Sequence, residues 1–209
     1  MQRYQDLWHY RSRVSELYRE LRDGHTGSEA ADAGLCRRFR AGRDELFAKH
    51  PQSALDSGQK SRFRGLAYFD HDPALRFVSP IDTDVEPAVL EFALSADGVV
   101  RAQRFGRVHF EVQGHACSLS LFWLLGYGGG VFLPFRDRTC GSETYGGGRY
   151  LLDTIKHADL GRVGELVVLD FNYAYNPSCA YNPRWVCPPT PHENDLGLPI
   201  RAGEKAFNG

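Results

Sequence analysis

Residues 107–123 read RVHFEVQGHACSLSLFW, and this stretch carries the clearest structural signal in the chain. Val108, Phe110 and Val112 alternate with His109 and Glu111; beyond Gln113-Gly114, Cys117, Leu119, Leu121 and Trp123 alternate with Ser118, Ser120 and Phe122. A period of two sends one set of side chains to each face of a strand, and a glycine-bearing pair between two such runs is a tight reversal. The stretch predicts an antiparallel hairpin with one buried face.

The same pattern continues outward at residues 75–78, 88–94 and 99–105 upstream, and at Val131 and residues 166–171 (LVVLDF) downstream, with turn residues between. The glycine run at 126–130 lies between two strands and lacks a following helix whose N-terminus would hold a phosphate, so it reads as a hairpin connection. Toward the N-terminus the period changes to helical. Tyr4, Leu7, Trp8, Val14, Leu17, Tyr18 and Leu21 define an amphipathic helix ended by Gly24. A loop over 25–34 leads to a second helix over 35–49 with Leu35, Phe39, Leu46 and Phe47 inward, stopped by Pro51. From Asn172 onward, prolines 177, 183, 188, 189 and 191 exclude a helix or a central strand, and the tyrosines and Trp185 point to a tail packed on the sheet. The expected architecture is mainly β: an antiparallel meander closed into a barrel or a sandwich, with two N-terminal helices. Residues 1–50 form a helical extension, and 51–209 a β domain with a proline-rich C-terminal wrap.

The 209 residues, 42% hydrophobic, suffice for one sizeable core. A net charge of −1 gives no electrostatic reason to expect nucleic acid. Five cysteines, an odd number, with no apolar leader and no apolar run of membrane-spanning length, point to the cytoplasm and away from a membrane.

The functional signal lies in residues 132–150, FLPFRDRTCGSETYGGGRY, where charged and hydroxyl side chains are spaced by glycines. Such a segment buries little and lets a ligand approach the backbone closely. Arg136 and Arg149 offer bidentate donors to an anionic group, Asp137, Thr139 and Thr144 further polar contacts, Tyr145 a donor and Glu143 a base. The competing account pairs Arg136 with Asp137 and Glu143 with Arg149, stapling a long loop. Asp170 and Asn172, at a strand end, serve either a cleft or the cap of a local turn. Cys179 and Cys187 with His192 and Glu193 match no strong zinc spacing, and packed thiols or a disulfide are the other readings. His109 and His115 flank the hairpin turn, where surface histidines are the simpler reading.

At PFRDRTCGSETYGGGRY (134–150), LDFNYAYNPSCAYNPRWVCPPTPHEN (169–194) and PIRAGEK (199–205), with HPQSAL (50–55) and GLAYFDHDPALRF (65–77), the chain resembles a prokaryotic family catalogued as domain of unknown function 1684. His192 and Asp195 depart from its pattern. The resemblance brings no activity to carry over. It groups Arg136, Asp137, Thr139, Glu143, Thr144, Tyr145, Arg149, Asp170, Asn172, Tyr175, Asn176, Cys179, Glu193 and Asn194 within its motifs.

These readings converge on a small-molecule site between the loop 132–150 and the tail 170–194. In it Glu143, Asp170 and Tyr145 would do acid/base or hydrolytic chemistry without an organic cofactor or a metal. Arg136, Arg149, Asp137, Thr139, Thr144, Asn172, Tyr175, Asn176, Glu193 and Asn194 would bind the ligand. Two alternatives stand: a non-catalytic module dimerising through the first helix, and a metal-dependent enzyme using the cysteines and histidines.

Overall fold

The computed structural model describes residues 2–94 and 98–208. The hairpin forms as its alternation demands. Strand β3 (Gly98–Val112) pairs with β4 (His115–Leu124) from Val112↔His115 outward. Gln113 and Gly114 take φ of 51° and 79°, the two left-handed residues of a reversal whose twist matches that of the strands. The runs at 99–105 and 107–112 belong to one strand, because the register shifts between Arg104 and Gly106. A side chain at Gly106 would meet Ile81 Cγ2 at 2.4 Å, so the kink occurs where the chain before β3 crosses it.

Around this hairpin lies a five-stranded antiparallel sheet in the order β2-β3-β4-β5-β6, with β2 at Val89–Leu94, β5 at Gly130–Phe135 and β6 at Arg149–Asp153. A second sheet of three strands, β1 (Arg76–Ser79), β8 (Leu166–Asp170) and β7 (Arg162–Val163), runs in the order β1-β8-β7. The sheets are separate and no closed barrel results, which corrects that expectation. The chain mixes helix and strand. Among the described residues the helices α1 (Gln2–Gly24), α2 (Glu29–Lys49) and α3 (Ser57–Arg62) together are nearly as long as the strands. Among the described residues no helix is long and apolar enough to cross a membrane.

One core joins all layers. Leu17, Tyr18, Leu35 and Phe39 of the helices meet Val108, Leu119, Leu121, Leu133 and Leu151 of the large sheet and Leu169 of the small one. Helix α2 starts earlier than the apolar spacing indicates, because Asp32 accepts from the amides of Thr26 and Gly27, each at 3.0 Å, and closes the turn before it. A smaller apolar cluster of Phe92, Ala102, Phe122, Phe132 and Tyr150 covers another part of the five-stranded sheet, and Tyr175 and Cys187 of the tail pack against it.

Candidate functional site

The loop and the tail meet, as the sequence leads one to expect. The amide of Arg136 donates to Asn194 O, that of Leu196 to Arg136 O, and Tyr150 and Tyr175 exchange backbone bonds of 2.8 and 3.0 Å. What the junction does with its polar side chains differs from the expectation.

Arg149 on β6 has no exposed surface. It donates to Asp137 Oδ2 at 2.7 Å and to the carbonyls of Ile200, Ala202 and Glu204, and its guanidinium lies 5.0 Å from the centre of the Phe135 ring. Asp137 also accepts from the Thr139 amide at 2.7 Å and the Thr139 hydroxyl, and Thr139 Oγ1 lies 2.9 Å from Thr144 Oγ1. These four residues form a buried staple that holds the loop to residues 200–204. All four are buried and turn their polar groups onto one another and onto residues 200–204, where the sequence reading gave them to a ligand. Glu143 is spent on Arg201 at 2.9–3.0 Å. Asp170 accepts from the amide and side chain of Asn172, at 3.0 and 2.9 Å, and burial pushes its carboxyl up. It is the cap of a turn, and Asn172 in turn bonds both backbone groups of Asp72 at 2.8 Å.

The tail residues are likewise engaged. Asn194 grips Ser120 N, Ser120 O and Pro134 O at 2.7–2.9 Å, Glu193 accepts from Arg104 at 2.8 Å and Ser120 at 2.6 Å, and Asn176 donates to Lys205 O at 2.8 Å. Buried Glu204 accepts from Arg43 of α2 at 2.9 Å, from the Asn176 amide at 3.2 Å and from the Tyr181 hydroxyl, tying helix to tail. Arg136 stays half-exposed, donating to Gly146 O, with Asp195 at 3.7 Å. Among the described residues no group of three or more His, Cys, Asp or Glu side chains converges as metal ligands. His192 is exposed after Pro191, His109 faces Asp82 at 3.5 Å and His115 bonds Gln113 O at 3.1 Å.

One cluster is organised differently. Tyr145 of the loop brings its hydroxyl to 3.6 Å from Cys179 Sγ, and the Cys179 amide donates to Cys187 Sγ at 3.4 Å. Gly147 makes the seat for Tyr145: a Cβ there would fall 2.4 Å from Tyr145 Cε1. Tyr150 holds the far side through Pro188 O at 2.6 Å, and Thr190 reaches Gly147 O at 3.3 Å. Cys179, at the short turn Ser178–Ala180, is partly exposed and free. Its thiol is pulled down to about 6, first by the bond from the Cys187 thiol and then, against burial, by Tyr145 and by its own and the Ala180 amides. The same contact, with burial, pushes Cys187 up, so the pair gives up its first proton from Cys179. Tyr145, pushed up to about 12 by burial and by Cys179, stays a phenol at neutral pH. The cluster brings two cysteines and a phenol together with no charged side chain bonded to either sulfur among the described residues. Sequence reasoning paired Cys179 with Cys187 and singled out Tyr145 separately; that Tyr145 joins the two cysteines was missed, since a contact across 34 residues leaves no local pattern.

The sequence matches the model of a family described as "Protein of unknown function (DUF1684)" over residues 61–205. It is similar to an uncharacterized protein of Haloarcula marismortui whose structure was solved by NMR in solution: 32% identity, a TM-score of 0.57, 82% of this chain and 92% of that one covered. No curated protein matches it.

Proposed function

The chain belongs to the DUF1684 family of proteins of unknown function, and on that premise we propose a small-molecule site at the junction of loop and tail, with Cys179 as nucleophile and Tyr145 as its proton partner. A single observation carries the reading: the partly exposed sulfur of Cys179 lies 3.6 Å from the Tyr145 hydroxyl, and the same residue's amide donates to Cys187 Sγ at 3.4 Å. Thiolates are the reactive form of cysteine, and such donors stabilise them without neutralising them. Attack on an electrophilic carbon or sulfur needs no organic cofactor, because the nucleophile is already ionised. The anion-holding role expected of Arg136 and Arg149 falls to Arg136 alone.

Alkylation with iodoacetamide, followed by peptide mapping, tests this. The fraction ionised grows as the pKa falls while intrinsic nucleophilicity declines, so Cys179 should outpace an ordinary thiol by about fourfold at pH 7 and roughly thirtyfold at pH 5.5. Cys36, pushed up to about 11 by burial, is the internal control. Equal labelling of Cys179 and Cys117 at pH 5.5 rejects the reading.

A second reading, a homodimer through α1, is favoured by Tyr4, Leu7 and Trp8, which are 80%, 39% and 76% exposed along one helix. Light scattering of a Tyr4→Ser/Trp8→Ser variant checks it; a mass unchanged from that of the wild type removes it.

A further inference from the structure

Cys187 Sγ lies 3.4 Å from the amide nitrogen of Cys179, and more than that contact holds the two residues together. Cys179 and Cys187 bound a nine-residue segment whose interior is pinned at several points. Tyr181 donates to Glu204, Asn182 to Asp56 at 3.1 Å and to Gln59 at 3.2 Å, Arg184 to Ser53 O at 3.2 Å, and Trp185 to Ala54 O at 3.0 Å. Behind Cys187 lies the apolar cluster of the large sheet. The dithiol is therefore pre-arranged. Among the described residues it has no third metal-ligating side chain, and both cysteines are free.

We propose, resting on the nucleophile reading above, that Cys179 and Cys187 form a two-electron redox centre that reduces small-molecule disulfides. The Cys179 thiolate attacks one sulfur of the substrate; its S–S bond breaks, a first thiolate leaves and a mixed disulfide remains on Cys179. Cys187 then loses its proton to the departing thiolate and attacks Cys179 Sγ, expelling the second thiolate and closing the Cys179–Cys187 bond. One substrate disulfide becomes two thiols, and two protein thiols become one disulfide. A dithiol reductant, supplied from outside, restores the protein. The neutral donors suit this step because disulfide exchange moves a negative charge from sulfur to sulfur and needs no fixed cation. The leaving groups are thiolates, which depart without the strong acid that expulsion of hydroxide or alkoxide from a peroxide calls for.

The test uses the reduced full chain with hydroxyethyl disulfide as oxidant, dithiothreitol as reductant and hydrogen peroxide as a second oxidant, read by intact mass and peptide mapping. The wild type should release two small thiols per chain, lose two hydrogens and yield a linked Cys179–Cys187 peptide that dithiothreitol reopens. Cys187→Ser should instead accumulate the mixed disulfide on Cys179, and Cys179→Ser should form neither. Wild-type protein that stops at the mixed disulfide, that carries from purification a bridge untouched by dithiothreitol, or that reacts faster with hydrogen peroxide overturns the proposal. If iodoacetamide still labels Cys179 rapidly at pH 5.5, the nucleophile reading survives that failure; if it does not, both fall. Thermal unfolding of each variant separates lost chemistry from lost fold.

Discussion

Arg149 and Cys179 both come from polar, glycine- or proline-rich motifs, both lie where the loop touches the tail, and they have opposite fates. Arg149 gives its Nη donors to Asp137 and three carbonyls with no surface exposed, leaving only Nε unpaired. Cys179 is partly exposed and its donors serve to ionise it rather than to neutralise it. The difference teaches that charge in a loop does not by itself mark a site. A charge buried among its partners is architecture; chemistry needs a reactive form kept accessible.

The largest effect that would break this comparison is in Arg149. Arg149→Met leaves Asp137 buried without its cation and three carbonyls without a donor, which should cost about 3–5 kcal/mol and abolish or nearly abolish folding. Urea unfolding measures it. A variant of wild-type stability would mean that the staple is not what holds the loop. Cys179→Ser, by contrast, should change stability by less than about 1 kcal/mol at about pH 5.5, below the range in which the thiol ionises.

How much of this was legible differs between fold and site. The hairpin at 107–123 was, because alternation and a glycine turn are local. The unity of β3 was not, since the shift between Arg104 and Gly106 breaks the alternation. Helix α3 left only the Asp56–Gln59 capping box as a mark, and residues 29–34 of α2 lack an apolar stripe. The open arrangement was hidden because β1 pairs with β8 from 90 residues away. Within the site, residue types pointed to two polar segments and those segments do meet, but most of their polar side chains are buried, where the sequence led one to expect a segment that buries little. Which side chains are satisfied depends on distant carbonyls such as Ile200 O, and no spacing encodes that.

Next in size is Cys187→Ala. It removes the largest cause of Cys179 acidity, so the inflection of the alkylation rate should rise from about 6 by roughly one unit. Tyr145→Phe removes a smaller one and should raise it by about half as much. The effect also has a stability signature. A thiol whose folded value lies below its ordinary 9.0 contributes stability that is complete above that value and lost as pH falls through about 6. In the reduced state, the difference in melting temperature between wild type and Cys179→Ser should therefore widen from pH 6 to pH 9. A constant difference would show that ionisation of Cys179 is not coupled to folding.

The smallest effect is expected from Arg136→Ala, and it sharpens the comparison most. Arg136 is the one arginine of the loop pair left half-exposed, and its carbonyl partner Gly146 sits in the turn that seats Tyr145. Its neighbour Asp195 is 3.7 Å away and both side chains are partly exposed, so loss of the pair should cost less than about 1 kcal/mol. A neutral disulfide should react at an unchanged rate. A carboxylate-bearing one should slow by at most about threefold at low salt, and that difference should vanish at 1 M salt, where the screening length is about 3 Å. If Arg136→Ala instead slowed both substrates more than Tyr145→Phe does, the guanidinium would be acting on the reacting sulfur, and the line drawn between the arginine architecture and the thiol chemistry would have to move.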